Sequence, residues 1–423
     1  MRWAWGANYR DWPGVKRFSA DGNQPSLFPK TLWGGRMAKK LSIKGIEFSG
    51  IASGIKPQGL DLGLVVFRDA ANVVSAYTRN QVKAAHILYD RKIEKRPIKA
   101  LLVNSGCANA CTGQNGIDDL DSIASSLSPL IGAEHKEVLF ASTGVIGKRL
   151  PAETIRSALP RSVRETSESG LDNFARAIMT TDTYPKVVER SFKGKKPYTI
   201  IGAAKGSGMI NPLFATMLAF VFTDFPVSPR TIRQSFRTAV KESFERITVD
   251  GECSTNDTVM LFTSRKEEDP DALPAFEKGL SEVLKDLSMM VVRDGEGATR
   301  IAHIIVEGAR KKQWAERIAR RIALSPLTKT AFYGCDPNWG RIIAAAGDTE
   351  VPLDPAKIDI SIQGKMVAKN GVEIPFDEAE MKKLMDRKEI SVIVNLHQGK
   401  ASYDIFTTDL TYDYVKINAS YRT

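Results

Sequence analysis

Short, strongly apolar runs alternate with amphipathic helical stretches along most of this chain, and that alternation limits the folds open to it. Leu62–Phe67 (LGLVVF) and Lys99–Val103 are strands by this reading, and Tyr198–Ala203, Thr258–Phe262, Ile301–Val306 and Ile390–Asn395 follow the same pattern. Ala215–Phe222 is a β-rich apolar run. Helices are predicted over Pro151–Leu159, Gly170–Met179, Leu273–Val292, Lys311–Ala323 and Asp377–Met385, the long one stopped at or just before Gly295. Ser228-Pro229 is an N-cap with proline at the first helical position, and Ile232, Phe236, Val240 and Phe244 then fall near one face. Asn370-Gly371 signals a hairpin turn, and the chain is expected to end in strands around Tyr403–Phe406 and Tyr412–Ile417. Helices interspersed among many strands imply an α/β (α+β) fold, a layered sandwich of β-sheets flanked by helices. A smaller C-terminal α/β domain is expected from about residue 311.

With 423 residues, 43% of them hydrophobic, the chain can bury a large core in two or three domains. No run of 18 apolar residues is present, so a membrane-spanning helix is not expected. The net charge of +11 suggests nucleic acid, but its distribution argues otherwise. Residues 1–40 hold eight basic residues against Asp11 and Asp21, a net of +6, so the remaining residues carry +5. That excess sits in a Trp-, Pro- and Gly-rich segment without clear periodicity, not in a basic stripe interleaved with aromatics. Two readings of this segment stand: an extension translated ahead of Met37, or a weak targeting sequence, against which the two Asp speak. Neither nucleic acid nor membrane is expected as a partner. The four cysteines, Cys107, Cys111, Cys253 and Cys335, form no C-x-x-C pair and suit a reducing, cytoplasmic setting. The four histidines are scattered, so no metal site is expected.

The most unusual stretch is Lys205-Gly206-Ser207-Gly208-Met209-Ile210-Asn211-Pro212, which runs through Leu213-Phe214 into Ala215-Thr216-Met217-Leu218. Taken alone, it reads as a tight loop before a core strand, with Thr216 chosen for β-propensity. Phosphate-loop patterns fail. Along Ser142–Arg149, Ser142 stands where the first Gly belongs and Arg149 where Ser or Thr would hold magnesium. Ser207 is no nucleophile elbow, because Lys205 and Met209 occupy the required glycine positions. A threonine hydroxyl becomes a useful nucleophile when a base takes its proton. Cutting the chain before Thr216 would supply one, since a free α-amine titrates near ~7.7–8.0. Ala215 is a small residue on the other side of that bond.

Ordered motifs carry a more specific signal. They are Asn104-Ser105-Gly106-Cys107-Ala108-Asn109-Ala110-Cys111-Thr112-Gly113, Ser142-Thr143-Gly144-Val145-Ile146-Gly147, Met179-Thr180-Thr181-Asp182-Thr183, and the Lys205–Leu218 stretch. Ser254-Thr255-Asn256-Asp257-Thr258, Asp294-Gly295-Glu296-Gly297-Ala298-Thr299, Asp336-Pro337-Asn338-Trp339-Gly340-Arg341 and Tyr414-Val415-Lys416-Ile417-Asn418-Ala419 follow. In this order, from about residue 41 to Thr423, the chain resembles the ornithine acetyltransferase (glutamate N-acetyltransferase) family of arginine biosynthesis. Cys107, where the family typically has Asn, and Leu213-Phe214 depart from its pattern.

The resemblance implies a self-cleaving, N-terminal-nucleophile-like fold. Residues 41–215 would form one chain and 216–423 a second, beginning at the nucleophile Thr216. Thr143 and Gly144 would form the oxyanion hole, a suitable pair because one offers a hydroxyl and the other a backbone N–H. Thr180, Lys205, Thr216, Glu296, Asn418 and Thr423 would contact substrate, with Thr180 standing for a position somewhere in Thr180–Thr183. Lys205 suits a carboxylate and Glu296 a cation. The implied reaction passes the acetyl group of N-acetylornithine to glutamate through an acetyl-threonine, without a cofactor. Two donor readings remain, N-acetylornithine alone or acetyl-CoA as well. The implied assembly is a heterotetramer of two copies of each fragment. The competing reading is an N-terminal-nucleophile aminopeptidase or amidase that passes the acyl group to water.

Overall fold

The computed structural model describes residues 41–211 and 217–420. Residues 1–40 lie outside the described residues, as do Ala215, Thr216 and Thr423. The chain divides into two compact units, and in the described residues the larger comprises 41–299 and 405–420, the smaller 300–404. The division falls at Arg300, where the sequence had suggested about 311, and the chain's last stretch belongs to the larger unit.

The larger unit is built on β1 (Ile46–Ile51), β2 (Leu62–Tyr77), β3 (Ile98–Cys107), β4 (Val138–Val145), β5 (Lys186–Lys193), β6 (Pro197–Lys205), β7 (Leu218–Pro226) and β8 (Thr258–Ser264). Their order is β4-β3-β2-β8-β7-β6-β5, with β1 paired to β2. The long strand β2 joins the two halves of this sheet. Its start pairs with β3, Leu62 opposite Asn104, and its end pairs with β8, Tyr77 opposite Thr258. The flanking helices are α1 (Ala85–Ile93), α2 (Gly113–Leu127), α3 (Ala152–Arg164), α4 (Leu171–Ala177), α5 (Pro229–Lys241) and α6 (Leu273–Arg293). Ser228 caps α5 as expected, its Oγ accepting from Thr231 N at 3.3 Å.

Continuous apolar runs in β6, β7 and β8 are explained by burial on both faces. On one face Phe48, Phe67, Phe174, Phe220, Phe222 and Phe262 form a single aromatic cluster, with Phe222 and Phe262 stacked at 5.5 Å between centroids. A second cluster joins Phe192, Tyr198 and Phe225 of the strands to Phe276 of α6. α6 therefore packs on β5 and β6.

The smaller unit contains β9 (Ile301–Ala309), α7 (Lys312–Ala323), α8 (Pro326–Tyr333), α9 (Trp339–Gly347), β10 (Asp359–Ile362), β11 (Lys365–Lys369), β12 (Val372–Glu373), α10 (Glu378–Met385), β13 (Glu389–Asn395) and the start of β14 (Ala401–Thr408). Its sheet order is β12-β11-β10-β13-β9-β14. Asn370 and Gly371 have φ of 50° and 73°, the left-handed pair that a tight hairpin needs between β11 and β12. Two sheets flanked by helices give the mixed α/β fold read from the sequence. One element differs: the strand expected at Tyr412–Ile417 is helix α11 (Tyr412–Ser420). Its alternation of aromatic, aliphatic and polar residues mimics a strand, but Tyr414 N bonds to Thr411 Oγ1 at 3.1 Å and starts a helical turn.

Phe222 touches Phe48, Phe67, Phe174 and Phe262. Phe222→Ala is expected to cost about 3–5 kcal/mol of stability, measured by urea denaturation.

Candidate active site

Strands β3 and β4 run parallel, with Ser105 opposite Thr143 and Gly106 opposite Gly144. Gly144 has a φ of 131°, and a Cβ there would lie 2.3 Å from the carbonyl carbon of Gly106. Only glycine fits this closeness, and it brings Thr143 and Gly144 to the rim of an open cavity. Four further residues expected at the site line the same cavity: Thr180, Lys205, Glu296 and Asn418. They come from a turn before β5, the end of β6, the segment after α6, and α11. The expected residues Ala215, Thr216 and Thr423 lie outside the described residues. Met217, bonded in sequence to Thr216, lines the cavity, and its carbonyl accepts from Thr258 N at 2.9 Å.

Lys205 is 8% exposed, with its ammonium turned to hydroxyls. Its Nζ donates to Thr180 Oγ1 at 2.7 Å and to Thr143 Oγ1 at 3.4 Å. Because both hydroxyl oxygens accept from Lys205, their protons are free to point at a bound molecule. Burial pulls the Lys205 ammonium below the ordinary lysine range, and Asp182 pulls it partly back. The same cavity also carries an acidic group, Glu296. Glu296 N is held by Ser207 O at 2.9 Å, and Glu296 Oε2 accepts from Asn418 Nδ2 at 2.9 Å. A Cβ on Gly208 would meet the Glu296 carboxylate at 2.4 Å, so the glycine loop makes room for it. The cavity thus offers an ammonium with two hydroxyls and, besides, a carboxylate with an amide. Such a cavity suits a zwitterionic, amino-acid-like molecule.

The glycine loop is clamped from one side. Asp250 Oδ2 accepts from Met209 N at 2.6 Å and Asp250 Oδ1 from Ile210 N at 2.9 Å. Thr248 Oγ1 donates to Ile210 O at 2.7 Å, and Asn211 Nδ2 to Gly251 O at 2.8 Å. Asn256 donates to Ala108 O and Ser142 O at 2.6 and 2.7 Å, which ties the start of β8 to the β3–β4 rim. Asp257 also lines the cavity, and burial pushes its carboxyl well above the usual range.

Sequence reasoning did not single out Asp250, Asn256, Asp257 or Lys186. Asn256 and Asp257 belong to the Ser254–Thr258 motif, and Asp182 and Asp294 to two others, but nothing in those motifs gives them a role. Lys186 carried no signal, since a single lysine after Tyr184-Pro185 reads as a surface charge. It is instead fully buried.

The ArgJ family's sequence pattern matches residues 47–423. The arginine biosynthesis bifunctional protein ArgJ of Geobacter sulfurreducens is 44% identical over 393 residues, covering 90% of this chain and 100% of that protein. The protein of the same name from Syntrophotalea carbinolica is 41% identical over 392 residues, with 90% and 100% covered. Among solved structures, a chain of the arginine biosynthesis bifunctional protein ArgJ of Bacillus halodurans is 38% identical with a TM-score of 0.46, covering 49% of this chain and 100% of that one. A chain of ornithine acetyltransferase from Mycobacterium tuberculosis, complexed with ornithine, is 35% identical with a TM-score of 0.35, covering 41% and 93%.

Gly144→Ala is expected to cost about 1–3 kcal/mol through backbone strain and the clash with Gly106. Gly147→Ala, with a φ of 85° but open space around the new Cβ, is expected to cost less. Parallel chemical denaturation of the two variants checks this.

Proposed function

The chain belongs to the ArgJ family, and on that premise we propose that it transfers the acetyl group of N-acetylornithine to glutamate, with Thr216 as the nucleophile. The observation that carries the site assignment is the meeting of Thr143, Gly144, Thr180, Lys205, Glu296 and Asn418 around one cavity that Met217 also lines. Five separate stretches of sequence supply these six residues, so their convergence fits a functional site better than separate structural roles.

In the proposed reaction the chain first cuts itself. The Thr216 hydroxyl attacks the Ala215 carbonyl, the C–N bond breaks as an ester forms, and the nitrogen gains a proton. Water hydrolyses the ester to leave the Ala215 carboxylate and a free Thr216. The new α-amine then takes the Thr216 hydroxyl proton as Oγ attacks the acetyl carbonyl. Thr143 and Gly144 donate to the oxyanion; losing one such donor costs ~3–4 kcal/mol of transition-state stabilisation. The α-amine returns the proton to the departing nitrogen of ornithine, and an acetyl ester remains on Thr216. Glutamate's amine attacks that ester by the same steps in reverse, giving N-acetylglutamate and restoring Thr216.

Lys205 and Thr180 hold the α-carboxylate common to both substrates, and Glu296 with Asn418 faces the ornithine ammonium. The family resemblance adds Thr423 to the proposed substrate-binding residues. Acetyl-CoA as a second donor, a heterotetramer of two copies of each fragment, and a cytoplasmic location belong to the same proposal and rest on the family resemblance. No helix among the described residues is long and apolar enough to cross a membrane.

A denaturing gel of the purified protein is expected to show two fragments, residues 1–215 and 216–423. Thr216→Ala is expected to stay uncut and to transfer no acetyl group. Full activity from an uncut chain would overturn the mechanism, and glutamate-independent hydrolysis of N-acetylornithine would make it an amidase. The KM for N-acetylornithine should also depend on pH. Below its pKa Lys205 is charged and pairs the carboxylate; above it the pairing is lost. Since burial lowers that pKa, KM is expected to rise at a lower pH than an ordinary lysine would give. Lys205→Arg, which stays charged, should remove this alkaline rise in a KM–pH profile.

A further inference from the structure

Four charged side chains meet at and behind one wall of the cavity. Asp182 and Asp294 are carboxylates, Lys186 and Lys205 ammoniums, and the side chains of all four are at most 10% exposed. Lys186 is the first residue of β5 and pairs with Ala204, next to Lys205 at the end of β6, so both lysines sit at the same end of this hairpin. α6 packs on β5 and β6 and delivers Asp294 to that end, immediately after its last turn. A carboxylate at a helix C-terminus faces the negative end of the dipole, and there it needs a cation.

Lys186 provides that cation and a second pairing. Its Nζ donates to Asp294 Oδ2 and to Asp182 Oδ1, each at 2.6 Å. Asp294 also accepts from Thr183 N at 3.0 Å and from the Thr183 hydroxyl. Asp182 is more heavily used. Oδ1 also accepts from Gly206 N at 2.6 Å, and Oδ2 from Thr180 N at 3.0 Å. Burial alone would raise the Asp182 pKa, yet Lys186, Lys205 and the Gly206 amide hold the carboxyl well below its usual range.

Lys205 stands only at the margin of this arrangement. Its Nζ is 4.0 Å from Asp182 Oδ2, beyond a direct hydrogen bond, while its hydrogen bonds go to Thr180 and Thr143. An Asp182 without Lys186 would have Lys205 as its nearest cation. We propose that Lys186 is a positioning residue that satisfies Asp182 from behind and so leaves the Lys205 ammonium free for the substrate carboxylate. The same contacts fix Thr180 and Gly206 through Asp182, and the segment leading to Glu296 through Asp294. Lys186 is absent from the cavity lining and acts through Asp182.

This inference rests on the reading of Lys205 as the carboxylate-binding group. The test is steady-state kinetics of the full, self-cleaved protein with N-acetylornithine and glutamate. Lys186→Met is expected to raise KM for both substrates about tenfold or more, with kcat within about threefold. A merely structural role would instead shrink the active fraction, lowering apparent kcat and leaving KM unchanged. Adding Asp182→Asn to Lys186→Met removes the group that captures Lys205 and is expected to recover most of the lost KM. Unchanged KM in folded Lys186→Met, or a double variant worse than either single one, overturns the proposal. Should Lys186→Met fail to fold, Lys186→Gln carries the test: it too is neutral but keeps a donor, and KM for both substrates is expected to rise about threefold or more, whereas an unchanged KM in the folded variant overturns the proposal. Wild-type protein that transfers no acetyl group would refute the functional reading itself, an outcome separate from any of these.

Discussion

A carboxylate kept ionised away from water needs partners for both its oxygens, and in this fold Asp182 has them. Its three hydrogen bonds come from Lys186, Gly206 and Thr180, with Lys205 farther off at 4.0 Å. Two strand ends and the turn before them are thereby fixed to one point. Asp294 extends the same constraint to the end of α6, two residues before Glu296. The aromatic clusters set the strands and α6 in register, and the buried charges convert that register into a cavity of defined polarity. Packing alone does not specify where a lysine ammonium points, because the aliphatic stem packs while the charged head seeks polar partners.

The polarity itself follows from where each group is anchored. Lys205 ends β6, a strand paired on both sides. Glu296 sits on a loop, held by Ser207 O through its backbone and by Asn418 through its side chain. The Lys205 ammonium is therefore anchored on a paired strand, while the Glu296 carboxylate depends on a residue near the chain's end. That division suits a reaction whose two substrates share an α-carboxylate but differ at the far end of the side chain.

Much of this was legible in the sequence, for physical reasons that differ by element. β6, β7 and β8 announced themselves because burial on both faces leaves continuous apolar runs, and α5 because Ser228-Pro229 is a cap with a mechanism. The strand expected at Tyr412–Ile417 failed because residue types that alternate in polarity fit a short helix as well as a strand, and the deciding hydrogen bond, Tyr414 N to Thr411 Oγ1, comes from outside that window. For the site, Lys205 and Glu296 were readable only through the order of surrounding motifs; each alone looks like a solvated charge. Lys186 was unreadable even so. Its role depends on the pairing of β5 with β6 and on the packing of α6, which are long-range facts that no local pattern encodes. Asp250 was hidden for the same reason, since its contacts to Met209 and Ile210 cross about forty residues of chain.

The sheet order also explains how a chain like this can be cut and keep its site. β2, β3 and β4 precede the proposed cut at one side of the sheet, and β5 and β6 precede it at the other. β7 and β8 follow the cut, yet they lie between β2 and β6. β6 and β7 pair from Ile200 opposite Thr223 to Lys205 opposite Leu218, and β2 pairs with β8 from Asn72 to Tyr77. Separating the two fragments would mean breaking both ladders and opening the cluster around Phe222, whose members come from both sides of the cut. In the proposed cut chain the interleaving would do what the covalent bond does in the uncut one, beside the cavity that Lys205 and Met217 both line. A nucleophile created by losing a peptide bond requires a scaffold indifferent to that loss, and a central strand pair flanked on both sides by the other fragment provides one.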